Sequence, residues 1–298
     1  MANLQQILSS ASLCTVAALG LLFGCRNEAS YSNTDPGALY DGGQDFSALD
    51  AYLDERLAEG LAGFAMQILD DEGRVVFRRA EGTCQSSRCP GGEPDFSVQL
   101  VTSIASSTKW VTSTVVLAAL DEGVQAGRWA SVAAALDSAV VPELGCSDMT
   151  GPVTVITLRQ LLSFTSGVIA DHECVNTKES LRDCACTILR DSAAAMTSDT
   201  SASTRLRNAH PPGTTYKYGG SHLTIAGAWL EQISGEGWQQ LFARLMLEPL
   251  DVDMQYVRAA NLAGSIQTSV ADYSRFVDAL RADAQGAETR RLLSFEAV

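Results

Sequence analysis

Ser106-Ser107-Thr108-Lys109 sets a hydroxyl and a primary amine three residues apart, so on a helix the two stand on one face, about one turn from each other. A serine hydroxyl is a poor nucleophile until a neighbouring base takes its proton, and a lysine is such a base only where burial or nearby charge lowers its pKa. Trp110, Val111, Val115 and Val116 make the following segment apolar, which would partly desolvate an amine held against it. The chain has three lysines, Lys109, Lys178 and Lys217, among many arginines, and an arginine in the same place could not act as a base. Ser-x-x-Lys alone is a weak signal, because a lysine snorkelling from an apolar helix gives the same string.

The elements that would position this pair follow from periodicity and capping residues. Phe46, Leu49, Tyr52, Leu53, Leu57 and Leu61 recur at helical spacing, and GFAMQIL and RVVFRRA flank the turn Asp70-Asp71-Glu72-Gly73, so a helix followed by a strand hairpin is expected. From Ser106 an apolar-periodic run predicts a helix of about four turns ending at Gly123, with its N-terminal N–H groups aimed where an oxyanion would develop. Thr157-Leu158-Arg159-Gln160 is a capping-box pattern for a second helix, stopped by Ser166-Gly167. Between Asp171 and Asn208 no period is sustained, and a cysteine-stapled insertion around short helices is expected. After Pro211-Pro212-Gly213, HLTIAGAWLEQISG reads as a helix ending at Gly235, and TSVADYSRFVDALRA as another, with Ser269 and Asp272 at its N-terminus. There is no internal repeat, no glycine-rich phosphate loop and no G-x-S-x-G elbow.

The strings SIASSTKW, ITLRQLLSFTSGV, PPGTTYKYGGSHLTIAG and LAGSIQTSVADYSRF, in that order, resemble the class C beta-lactamase and penicillin-binding-protein-like serine hydrolases over roughly Gly60 to the end of the chain. The resemblance implies an α+β, beta-lactamase/transpeptidase-like fold, an antiparallel sheet flanked by helices with a mostly helical lobe at about residues 111–210. It also implies roles: Ser106 as nucleophile, Lys109 as base, and Tyr218 as the tyrosine that shares the proton transfers, since a phenol beside an ammonium can be held as phenolate. Two departures stand out. The family's Tyr-x-Asn is Tyr218-Gly219-Gly220 here, so at Gly220 the amide that would bond a substrate's acyl-amide group is missing, which argues for esters over beta-lactams or peptides. No Lys/His-x-Gly strand follows Tyr218, so the C-terminal strands are expected to be absent from this chain, leaving it poorly stable and weakly active or inactive. The expected function is a serine hydrolase acting through an acyl-enzyme on a carboxylic ester or small amide. A beta-lactamase or D-alanyl-D-alanine carboxypeptidase is the second reading, and a non-catalytic, surface-tethered binding protein is a reading of another class.

The remaining features bound the setting. Of 298 residues 46% are hydrophobic and 19% charged, a composition that buries a full core. A net charge of −14, with no Lys/Arg-rich run, argues against nucleic acid as a partner. The apolar run from Ala11 to Gly24 is short for a bilayer span and reads as the core of a signal peptide over residues 1–25. Leu22-Phe23-Gly24-Cys25 resembles a lipobox, making Cys25 the expected lipidation site and the cell envelope the expected location. Residues 26–44 read as a flexible tether and 45–298 as the folded body. Six further cysteines, an even number in an exported chain, suggest disulfides, with Cys84 and Cys89 as a local pair. The pairing of Cys146, Cys174, Cys184 and Cys186 stays open, and His172, Cys174, Cys184 and Cys186 are an alternative zinc set that the spacing disfavours. No metal or cofactor is expected. Of the three histidines, His222 lies four residues after Tyr218; a packed or surface role is expected for it, with approach to the cleft as the alternative.

Overall fold

The computed structural model describes residues 39–40, 43–85, 94–147, 149–197, 209–285 and 292–293. The signal segment with Cys25, tether positions 26–38, 41 and 42, and Cys89 lie outside the described residues. Cys84 is disulfide-bonded.

The expected helix and hairpin open the folded body. A short strand β1 (Leu39–Tyr40) is followed by helix α1 (Ser47–Ala58), then β2 (Gly63–Leu69) and β3 (Val75–Gly82), in a sheet of order β1-β3-β2. The hairpin turn closes as Asp70 Oδ1 accepts the N–H groups of Glu72 and Arg74, while Gly73 takes the left-handed φ of 80° that a β-carbon disfavours. A second antiparallel sheet, β4-β6-β5, joins β4 (Thr102–Ser103), β5 (Met254–Tyr256) and β6 (Ile266–Thr268); β5 and β6 are near in sequence, while β4 pairs with β6 across more than 150 positions. The antiparallel sheet thus takes the form of two three-stranded pieces. Among the described residues the outer edges of β2 and β4 pair with no strand. Both face a cleft of about 720 Å³ with Tyr273 and Val277 of helix α11 (Val270–Ala284) in its lining.

The helical side holds the core. Helix α2 (Thr108–Gln125) follows the 3-10 turn Ala105–Ser107 and does not stop at Gly123. Gly123 has another reason to be glycine: a β-carbon there would fall 2.2 Å from the Trp129 ring, and the left-handed residue that ends the helix is Gly127, φ 76°. Short helices α3 (Val132–Leu136) and α4 (Val141–Leu144) lead to α5 (Leu158–Leu162), whose capping box forms as expected, with Gln160 N–H on Thr157 Oγ1 and Thr157 N–H on Gln160 Oε1.

After α6 (Cys174–Thr177), the segment expected to hold only short helices contains a helix of 17 residues, α7 (Leu181–Thr197). Its buried stripe is Leu181, Cys184, Ala185, Ile188, Leu189 and Ser192, a helical period spelled partly in Cys, Ala and Ser, which hydrophobic counting passes over. Cys146–Cys186 and Cys174–Cys184 bond this helix to the segment after α4 and to α6. All four sulfurs are thereby consumed, so the alternative zinc set has no thiolate to offer. Closing such loops typically contributes about 2–4 kcal/mol each.

Helix α8 (Ser221–Ser234) is buried at every position from Ser221 to Leu230, as a helix wrapped on all sides must be, and ends at Gly235 in the left-handed conformation. Helix α9 (Trp238–Phe242), a π turn (Ala243–Leu247) and α10 (Glu248–Leu250) continue the same core. Ser269 caps α11, accepting Asp272 N–H and donating its hydroxyl proton to the Asp272 carboxylate, 2.8 Å away. Among the described residues no helix is long and apolar enough to cross a membrane.

Candidate active site

Between β4 and α2 the backbone turns sharply at Ala105, which takes φ 46°, a left-handed value costing a non-glycine residue about 1–3 kcal/mol. The surroundings hold the turn. Ala105 N–H reaches Ser103 Oγ at 3.3 Å, Ile104 N–H donates to the Ile266 carbonyl at 3.1 Å, and Ile266 N–H donates to the buried Thr108 Oγ1 at 3.1 Å. Strand β6 therefore clamps both sides of the elbow, and Ser106 stands exposed at its tip.

Lys109, on the first turn of α2, sends its ammonium to Ser106 Oγ at 3.2 Å and to the Ala263 carbonyl at 2.8 Å. The carbonyl belongs to a segment fixed from both flanks. Thr112 of α2 donates to the Leu262 carbonyl and receives the Tyr256 hydroxyl, and Thr224 of α8 donates to the Ala260 carbonyl at 2.7 Å. A β-carbon on Gly227 of α8 would lie 2.2 Å from Leu262, so this glycine lets the helix approach. The carbonyls of Ala260, Leu262 and Ala263 are thus each bonded by a side chain, which fixes the segment that holds the Lys109 ammonium.

Tyr218 comes from the loop before α8. Its ring centroid lies 4.5 Å from Lys109 Nζ and the residue is 50% exposed, so the ring stands on the solvent side of the ammonium. The Ser106 hydroxyl and then the Lys109 ammonium hold its phenol below the ordinary tyrosine range. Phe164 braces it: a left-handed residue (φ 57°), it packs its ring 5.4 Å from Tyr218, 6.0 Å from Tyr216 and 5.2 Å from His222, and its carbonyl accepts Lys217 N–H. His222 is wholly buried beneath this loop. Its Nε2–H donates to the Lys217 carbonyl and its Nδ1 accepts from Ser166 Oγ, each at 2.9 Å, and burial pushes its pKa down to about 4. His222 is therefore a packed, neutral histidine, as expected of it, though one that anchors the backbone next to Tyr218. His172, by contrast, pairs with Asp191 at 2.9 Å.

The two glycines after Tyr218 differ in kind. A β-carbon on Gly219 would come within 2.2 Å of the Ala170 carbonyl, whereas one on Gly220 would meet only Val175 and Ala263 at ordinary contact distance, 3.4 and 3.5 Å. Gly219 is required by the backbone; Gly220 leaves a notch. Gly220 N–H is held by Asp171 Oδ1 at 3.0 Å.

Ser106, Lys109 and Tyr218 are thus brought together, and Gly220 adjoins them through Ala263, while Cys84 lies on the hairpin side. Sequence reasoning passed over Phe164, Thr112 and the 260–263 segment. A phenylalanine at positive φ carries no sequence signal, and the threonines matter only through partners more than 30 positions away.

An exposed serine on an elbow, bonded to a lysine one turn on and beside a tyrosine ring, within an α+β frame, is the arrangement these elements build. A family model described as Beta-lactamase matches residues 49–297, and the chain belongs to that family. Its fold is similar to that of a putative beta-lactamase from Bacteroides dorei DSM 17855, at 25% identity and TM-score 0.62, covering 85% of this chain and 68% of that one. It is also similar to an octameric penicillin-binding protein homologue from Pyrococcus abyssi, at 18% identity and TM-score 0.60, covering 85% and 59%. A D-amino acid amidase from Ochrobactrum anthropi SV3 shares the fold at 17% identity and TM-score 0.57, covering 83% and 72%. The chain therefore spans about three fifths to seven tenths of the length of these structures. No curated protein sequence matches it.

Proposed function

We propose that this protein is a serine hydrolase working through an acyl-enzyme on a carboxylic ester or small amide. The observation that carries the reading is the 3.2 Å contact between Ser106 Oγ and Lys109 Nζ under the Tyr218 ring. Ser106 Oγ attacks the carbonyl carbon while its proton passes to the Tyr218 phenolate or a neutral Lys109 amine, whichever holds the open lone pair. The tetrahedral oxyanion collapses, the C–O or C–N bond breaks, and the leaving group takes the proton. Water then attacks the acyl-enzyme with the same groups reversing their roles, and the acid departs. The Ser106 hydroxyl and the Lys109 ammonium lower the pKa of the Tyr218 phenol, which favours its part in the proton transfers. The notch at Gly220, with no side-chain amide to hold a substrate's acyl-amide, favours esters.

Intact mass after exposure to a fluorophosphonate tests this. One adduct on the wild-type chain, lost in Ser106→Ala, is the expected result; an adduct that persists in Ser106→Ala, or none on the wild type at any concentration that labels ordinary serine hydrolases, would overturn it.

A further inference from the structure

The surface that adjoins Gly220 through Val175 and Asn176 carries a positive charge that the acyl-transfer scheme does not use. Arg258, exposed on the loop after β5, donates from Nη1 to Asn176 Oδ1 at 3.0 Å, and Asn261 Nδ2 donates to the same oxygen at 2.9 Å. Asn176 follows Val175, whose methyl group faces Gly220, and Asn261 Oδ1 accepts Ala263 N–H at 3.2 Å. Ala263 in turn presents its carbonyl to Lys109, which bonds Ser106. One polar track thus runs from the guanidinium to the nucleophile. Gly264 lies along it: a β-carbon there would come within 4.0 Å of both the Asn261 side chain and the Ala105 carbonyl.

The donors along this track are under-used. Asn176 Oδ1 absorbs one N–H from each partner, leaving Asn261 with an N–H to give and Arg258 with the rest of its fork. Among the described residues Arg258 has no carboxylate partner, although Arg56, Arg74, Arg79, Arg159, Arg244 and Arg281 are all ion-paired in this chain of net charge −14. The Asp171 carboxylate beside Gly220 accepts its N–H at 3.0 Å. Asn176 holds the guanidinium plane through a neutral acceptor, which orients it without neutralising it. A planar donor fork fixed in this way suits a carboxylate, which accepts it with two oxygens.

We propose that Arg258, with the amide of Asn261, is a specificity-determining anion subsite, and that the substrates of this cleft carry a carboxylate that reaches the wall beside Gly220. The proposal rests on the acyl-enzyme reading only for the choice of cleft. Its test needs no turnover. Ser106→Ala protein is titrated calorimetrically with the monophenyl esters of succinic, glutaric and adipic acids and with their methyl-capped, uncharged twins. At least one acid should bind about tenfold to a hundredfold more tightly than its twin, the range of a charge-assisted hydrogen bond. That preference should shrink as salt is raised, disappear in Arg258→Leu and survive in part in Arg258→Lys. Equal affinities for all three acid and ester pairs, no binding of any acid, or an unchanged preference in Arg258→Leu would overturn it. Fluorophosphonate labelling of the wild-type chain reports on the nucleophile independently, so failure of the subsite and failure of the acyl-enzyme reading are distinguishable.

Discussion

Two parts of the molecule meet the demand for backbone hydrogen bonds in opposite ways. Around Lys109 the irregular segment 260–263 is buried between α2 and α8, and the carbonyls of Ala260, Leu262 and Ala263 are each claimed by a side chain, Thr224, Thr112 and Lys109. Along β2, all seven residues pair with β3 on one edge, are only partly buried, and meet no strand on the other edge among the described residues. The first arrangement fixes atoms to within a hydrogen bond's tolerance. The second fixes a register but leaves a row of donors and acceptors facing a cleft. The lesson is that Ser106 and Lys109 are held largely by side-chain bonds from the helical side, with the sheet β4-β6-β5 contributing through Ser103, Ile266 and Tyr256.

The sharpest way to break this contrast is at its centre. Lys109→Met should lower the rate of Ser106 acylation by about a thousandfold, within the usual range for losing a general base, while changing the melting temperature little beside that effect. Tyr218→Phe should remove a rising limb of the pH–rate profile whose midpoint lies below the ordinary tyrosine range, because a base acts only above its pKa and that of Tyr218 is lowered. A profile unchanged in Tyr218→Phe would separate the phenol from the proton transfers.

A smaller but still large effect is expected at the buried support. His222 has its pKa depressed from 6.5 to about 4, so the unfolded chain binds the extra proton first as the pH falls through that window. Its contribution to stability is fully present above pH 6.5 and should decline by about 3 kcal/mol on approaching pH 4. Denaturant unfolding across this range, compared with His222→Gln, checks it: the variant should be less stable near neutrality and show a shallower decline.

The least effect belongs to the sheet side. Arg79 on β3 bonds the carboxylates of Asp50, Asp54 and Glu81, tying α1 to the hairpin. Although this network looks denser than the Ser106–Lys109 pair, two of its three acids are well exposed, so Arg79→Ala should cost only about 1 kcal/mol, shrinking with added salt. A loss several times larger, or any loss of Ser106 labelling, would show that the sheet edge and the nucleophile are more tightly coupled than the hydrogen bonds indicate.

Much of this was legible in the sequence where the deciding contacts are short in range. The serine and lysine stand one turn apart because the helical repeat puts them there, and the capping box at Thr157, the Ser269 cap and the Gly73 turn each need only partners within four residues. Where the sequence misled, the reason was again physical. Gly123 has the residue type of a helix stop but serves the Trp129 ring, and α7 hid because its buried face uses Cys, Ala and Ser.

The sequence by itself therefore determined the family frame, the Ser-x-x-Lys face and the absence of an amide after Tyr218, all properties of residue type and local spacing. Tertiary structure alone decided that Lys109 finds the Ala263 carbonyl 154 positions away, that Gly219 and not Gly220 is sterically compelled, how the four cysteines pair, and that Arg258 stands beside the notch. Such contacts depend on how whole helices and strands pack, and the packing energy that selects them is shared across the core, so no short string of residues encodes it.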